Sequence, residues 1–156
     1  MSWGPVLWSI LHTSAEHLGK PRPPLLETDE VNRWMFLLKS VEGVMPCNLC
    51  RKHYDEWLKK HPVAQFTALR GTALREHARQ WLYSLHENVN IGKNIQSGIK
   101  IDDIPSMYST LTRYHTDIDR FIELTRENVQ NGLLKAEATR VFRSHLQYLR
   151  KISDTI

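Results

Sequence analysis

Apolar residues recur every three to four positions along nearly all of this 156-residue chain, and no stretch alternates in twos. A stripe of that period lies on one face of a helix and cannot serve a strand, so the fold class is all-α. Trp3, Leu7, Ile10, Leu11, Ser14 and Leu18 form the first stripe, which Gly19 and prolines 21, 23 and 24 bring to an end. Thr28 is the expected N-cap of a second helix, with Asp29 and Glu30 favourable in its first turn. Val31, Trp34, Met35, Leu38 and Val41 are its core side, and Gly43 marks its end. Pro46 suits the first turn of a third helix, where its missing N–H costs nothing. That helix carries Tyr54, Trp57 and Leu58 and stops before Pro62. After a connection, Leu74, Ala78, Trp81, Leu82, Leu85 and Val89 face inward from a fourth helix between Thr72 and Ile91.

A polar loop follows from Gly92 to Asp103, and Pro105 starts new helical material. Ile118, Phe121, Ile122, Thr125 and Val129 mark one further helix. Leu133, Val141, Phe142, Leu146 and Leu149 mark another, with Asn131-Gly132 as the break. The boundary falls near Asp102, with a four-helix unit before it and a helical extension after it. With 41% hydrophobic and 24% charged residues the chain buries a core without disulfide staples. A net charge of +4 is mild and its basic residues are scattered, which argues against nucleic acid as a partner. No run of about 18 apolar residues occurs, so membrane insertion is not expected. The opening Met1-Ser2-Trp3-Gly4-Pro5 lacks the basic start and apolar middle of a secretory signal.

Both cysteines of the chain lie in one Cys47-Asn48-Leu49-Cys50, directly after Pro46. That spacing closes a small, reducible ring at the start of a helix, where unpaired N–H groups and the positive dipole end stabilise a thiolate. Arg51 and Lys52 add positive charge beside Cys50. Two other readings stay open: a buried reduced pair, and a zinc site in which Cys47, Cys50 and His53 supply three of the four ligands a structural zinc needs. The surroundings lack the βαβ pattern of a thioredoxin fold. Trp8 and His12, four apart, share a face of the first helix; His86 and Asn90 repeat that spacing on the fourth, with Trp81 and Tyr83 nearby. His86 and Asn90 sit on an inner stripe beside Leu82 and Val89, so both need partners there, and a flat polar cofactor held between two helices would supply them.

These segments resemble a known family. Trp3-Gly4-Pro5-Val6-Leu7-Trp8-Ser9-Ile10-Leu11-His12 is similar to the opening WG-x-x-x-W-x-x-L-H signature of Erv/ALR-type FAD-linked sulfhydryl oxidases. Pro46-Cys47-Asn48-Leu49-Cys50 resembles their PC-x-x-C active site, and Lys60-His61-Pro62 a basic-His-Pro turn that often follows it. Trp81 through Asn90 resembles the W-x-x-x-x-HN-x-VN flavin helix, and the likeness covers residues 3 to about 108. It implies a four-helix bundle holding FAD within residues 1–102, then a short fifth helix and C-terminal helical extension in residues 103–156, usually as a homodimer. Carried over, Cys47 is the more exposed sulfur that takes electrons from a protein dithiol, and Cys50 passes them to the flavin, with O₂ as final acceptor and H₂O₂ as product. Trp8, His12, His86 and Asn90 match flavin-contacting positions, and Gly4 lets the backbone approach. Tyr83, Val89 and Lys93 are carried with the flavin helix, Lys93 toward the phosphates, and Tyr108 matches an aromatic of the fifth helix.

The chain departs from the pattern at several places. Glu87 stands where the family has Asn, Met45 where it has an aromatic, Pro5 where Arg is frequent, and Tyr83 where many members have a cysteine of a second, structural disulfide. The flavin helix reaches Gly92-Lys93 two residues early. No shuttle cysteine pair lies outside the core, so the resemblance implies direct use of the substrate at Cys47 or a separate thiol carrier. This compact form resembles the enzymes of large cytoplasmic DNA viruses, which implies the host cytoplasm or virion, with the mitochondrial intermembrane space as the alternative. Residues 110–156 have no counterpart in the pattern and read as added bundle surface, dimer contact or docking platform. Two other functional classes remain: a flavin-free helical thiol-disulfide carrier, and a non-catalytic helical assembly module.

Overall fold

A computed structural model describes residues 3–154, which are all-α. Its helices are α1 (Trp3–Glu16), α2 (Pro24–Ser40), α3 (Asn48–Lys60), α4 (Gly71–Gly92), the short α5 (Ile104–Met107), α6 (Leu111–Gln130) and α7 (Ala136–Ser153). Three 3₁₀ turns, Val41–Val44, Val63–Phe66 and Ile101–Asp103, lead into α3, α4 and α5.

Two boundaries differ from the sequence expectation for local reasons. α2 starts at Pro24, not after Thr28. The fixed φ of proline suits the first helical position, and the Glu27 amide closes the first turn on the Pro23 carbonyl at 3.0 Å. Thr28 is then a helix-interior residue whose hydroxyl donates to the Pro24 carbonyl at 3.2 Å. α7 starts only at Ala136, so Leu133 precedes it; Leu133 and Val141, both assigned to its apolar side, are exposed.

α1 is the centre of the packing. It lies against α6 on one side and α4 on the other, while α2 runs along α7. Tyr114, Ile118 and Phe121 of α6 and Phe142, Leu146, Leu149 and Ile152 of α7 are buried in the same cluster as Leu7, Ile10, Trp34, Leu38 and Leu82. The hairpin of α6 and α7 therefore completes the core that α1 and α2 begin. Tyr114 and Ile118 are fully buried, which isolated surface helices would not achieve.

Polar side chains lock this arrangement. Arg79 of α4 donates twice to Glu16 of α1, at 2.9 and 2.8 Å. In the α1–α2 connection Arg22 donates to Glu30 at 3.2 Å and to the Ile152 carbonyl at 2.8 Å, which ties the loop to the end of α7. Burial raises the Glu30 carboxyl above its ordinary range, opposed by the Gly19 amide and by Arg22. Gly19 has φ +73°, and a Cβ there would lie 1.9 Å from the Gly71 carbonyl oxygen, so close approach and backbone hand both require glycine.

Because both halves share one core, Phe142→Ala should lower unfolding free energy by about 3–5 kcal/mol. Urea denaturation followed by both circular dichroism and tryptophan fluorescence should give one coincident transition; a separate early transition of the C-terminal hairpin would contradict the shared core.

Candidate active site

Cys47 and Cys50 form a disulfide, with Cα atoms 5.2 Å apart. Among the described residues no group of three or more His, Cys, Asp or Glu side chains is placed to hold a metal ion. Helix α3 begins at Asn48, two residues later than Pro46 suggested. Cys47 is extended (φ −141°, ψ 115°) and is itself the N-cap, its sulfur accepting the Cys50 amide at 3.2 Å. A sulfur here occupies the place of the serine or aspartate oxygen that usually caps a helix. Arg51 braces the loop by donating to the Met45 carbonyl at 3.0 Å and to the Asn48 side chain. The first turn of α3 contains no acidic residue to oppose the helix dipole and Arg51. Both cysteines are half-buried, and Leu49 between them is exposed. One turn on from Cys50, Tyr54 meets Trp81 of α4 edge-on at 6.5 Å, and Trp57 meets the same ring at 6.1 Å. These contacts fix the disulfide helix to α4 five residues before His86.

A second cluster forms where α1, α4 and α5 converge. Trp8 stacks on His86 at 4.0 Å, nearly parallel at 4°, and Tyr108 stacks on His12 at 4.7 Å. His12 Nε2 and His86 Nδ1 are 3.3 Å apart and share one hydrogen. Whichever imidazole donates it, His12 Nδ1 is left pointing into the cluster, buried and without a hydrogen-bond partner among the described residues. If His12 donates, Nδ1 is an acceptor; if His86 donates, Nδ1 carries a hydrogen of its own. Burial, reinforced by His86, pushes the His12 pKa down to about 3, so the imidazole is neutral at physiological pH. His86 is also lowered, chiefly by burial, with Glu87 opposing and Lys93 assisting.

His12, Tyr83, His86, Asn90 and Tyr108 line a common pocket, which brings together His12, His86 and Asn90 from the two helical spacings with Tyr108 from the family resemblance, and Trp8 covers its His86 wall. Gly4, Val89 and Lys93 lie outside this lining. Gly4 is half-buried in the first turn of α1, Val89 packs on the main core, and Lys93 is exposed at the C-cap of α4. Four further lining residues, Glu87, Ser97, Ile99 and Ile104, were not picked out as site residues. Ser97 and Ile99 belong to the polar loop after α4, which has no periodicity to show which way it folds.

The donor set suits the polar edge of a flat, nitrogen-rich cofactor. It offers an unpartnered imidazole nitrogen of either hydrogen-bonding sense, the Asn90 amide, and aromatic faces on two sides. The pocket is nonetheless narrow, with a volume of only about 20 Å³, against the roughly 300–1,000 Å³ of ligand pockets in general.

Residues 5–102 match the Erv1 / Alr family. A protein of African swine fever virus (a tick isolate from Malawi) called FAD-linked sulfhydryl oxidase is 29% identical over 121 residues, covering 75% of this chain and 92% of that protein. One of the same name from a pig isolate from Kenya is 30% identical over 90 residues, covering 58% of this chain and 66% of the relative. A probable FAD-linked sulfhydryl oxidase of Acanthamoeba polyphaga mimivirus is 32% identical over 88 residues, 56% of each chain. No solved structure matches the chain.

The depressed His12 pKa has a stability consequence. In the unfolded chain this imidazole titrates near its ordinary 6.5, whereas in the folded chain it resists protonation until about pH 3. Between those values the unfolded state binds more protons, so stability falls as pH drops through that window. Melting temperature measured from pH 7 to pH 4 should fall more steeply in the parent than in His12→Gln; parallel curves would show that His12 is not held neutral by the fold.

Proposed function

The chain belongs to the Erv1 / Alr family, and from that premise we propose that it is an FAD-dependent thiol oxidase that makes disulfides in protein substrates. The observation that carries the reading is a disulfide whose first sulfur caps a helix, Cys47 with Cys50. A substrate thiolate attacks Sγ of Cys47, the Cys47–Cys50 bond breaks, and Cys50 leaves as a thiolate. The second substrate thiol, as its thiolate, displaces Cys47, so the substrate leaves oxidised and the pair is left reduced. The free amides of the first turn and the Arg51 guanidinium stabilise the anionic sulfur formed at each displacement. FAD, when bound, supplies a two-electron acceptor that O₂ reoxidises with release of H₂O₂, so two thiols and O₂ give one disulfide and one H₂O₂.

In this reading His12 Nδ1 and the Asn90 amide hold the cofactor's polar edge, and Trp8, His86 and Tyr108 present ring faces to it. Tyr83 closes the outer side, with Gly4, Val89 and Lys93 as supporting positions carried by the family pattern. Desolvation keeps His12 neutral, so it orients by hydrogen bonding without adding charge. The cofactor unit is residues 1–102, and the helices that follow complete its core. With two cysteines in all, the chain has no internal shuttle pair, so Cys47 meets a protein dithiol or a separate thiol carrier directly. Host cytoplasm or virion is the location the viral relatives favour. Among the described residues no helix is long and apolar enough to cross a membrane. A homodimer is part of the same reading and is tested by light scattering.

Purified protein should be yellow and should consume O₂ with formation of H₂O₂ when dithiothreitol is added. Cys47→Ala and Cys50→Ala should each keep the flavin absorbance and lose turnover. A folded protein that stays colourless after incubation with FAD would overturn the assignment.

A further inference from the structure

The loop after α4 folds back along the helix it has just left. Its amide groups first finish the helix, the Ile95 N–H donating to the Asn90 carbonyl at 2.8 Å. The chain then runs beside the last turns of α4 and is fastened at two rungs four residues apart. The Ser97 hydroxyl donates to Glu87 at 3.2 Å, and the Tyr83 hydroxyl donates to the Ile99 carbonyl at 2.6 Å. Ser97 also accepts the Ile99 amide at 3.2 Å, which stiffens the segment between the rungs. Through Ser97 and Ile99 this stretch supplies the outer wall of the pocket that His12, His86 and Asn90 form from within.

Little else holds it down. Residues 93–98 are all exposed, and Ile95 shows 49% of its surface to solvent. Its outer flank, with Ile91, Asn94 and Gln96, borders an open groove of about 480 Å³. A segment that buries so little apolar surface opens at low cost. The entry to the segment has backbone suited to a hinge, Asn94 at φ +56°. The other walls are far better anchored, since α1 and α4 belong to the main core and Ile104 of α5 is buried. A dinucleotide does not fit while the pocket stays at about 20 Å³, and this loop is the wall that moves most readily.

We propose that residues 93–100 are a strap over the cofactor pocket, latched by Tyr83 and by Glu87 through Ser97, and that its opening sets how fast FAD enters and leaves. The inference rests on the flavin reading above. It makes Glu87 and Ser97 positioning residues that act through the strap, and it gives a purpose to two departures from the family pattern, Tyr83 and Glu87. The latches act on the barrier, so loosening them accelerates passage in both directions.

The full chain is stripped of cofactor and mixed with FAD, and loading is followed in a stopped-flow instrument by quenching of FAD fluorescence. Release is followed by its recovery after large dilution. Tyr83→Phe and Ser97→Ala remove one rung each without disturbing buried packing. Each should speed both loading and release by about fivefold, and the double variant by more. In the flavin-free chain the Ile95 amide should exchange with deuterium faster in both variants than in the parent. Unchanged rates in variants that still bind FAD would overturn the strap alone. So would faster release with unchanged loading, which marks a residue that only touches the cofactor. A parent chain that takes up no FAD would overturn the flavin reading, and the strap with it.

Discussion

Helix α1 is buried on almost every face, and each polar side chain it carries must be satisfied by a neighbour. Ser9 donates to Asp117 and Ser14 shares a hydrogen with Tyr114, both on α6. Glu16 takes Arg79 and His12 takes His86, both on α4. His17 bonds back to the Thr13 carbonyl within one turn. The bonds to Asp117, Tyr114, Arg79 and His86 set the register of α4 and α6 against α1. His12 Nδ1 is the exception among them, and it marks the candidate cofactor pocket.

The two chemical centres are built with different rigidity. The disulfide sits on α3, whose Tyr54 and Trp57 lean on Trp81 and whose Tyr54 hydroxyl bonds the Leu38 carbonyl at 2.5 Å. Burial raises that hydroxyl well above the ordinary tyrosine range, so it remains a neutral donor. The pocket, in contrast, has anchored walls on α1, α4 and α5 and one on a lightly held loop. In the strap reading, one yielding wall lets a large cofactor in without moving the helices that carry His12, His86 and Asn90.

Much of this was legible in the sequence. The stripes on α1, α2, α4 and α6 follow from 3.6-residue periodicity, and α3 was recognised by its Pro-Cys start. The Trp8/His12 and His86/Asn90 spacings put those residues on facing sides of two helices. The start of α2 was misjudged because Thr28 and Pro24 are both good first-turn signals, and proline prevailed. The start of α3 differs by two residues because cysteine is not a usual cap residue. Ser97 and Ile99 are not legible because a loop without periodicity does not reveal which helix it will lie against, and Glu87 shows in the sequence only as a departure from the family pattern.

The amino-acid sequence alone determined the helical class, the one redox-capable sulfur pair and the set of polar residues placed on inward faces. All three depend on residue identity and on spacings shorter than about two helical turns. Only the tertiary structure decided that α6 and α7 close over α1 and α2, that His12 keeps one nitrogen unpartnered, and that the loop after α4 lines the pocket. Those outcomes depend on pairs such as Ser9 with Asp117 and His12 with His86, which lie far apart along the chain and meet only after the helices pack. No local pattern carries that information, because the packing energy that selects such pairs belongs to the whole core.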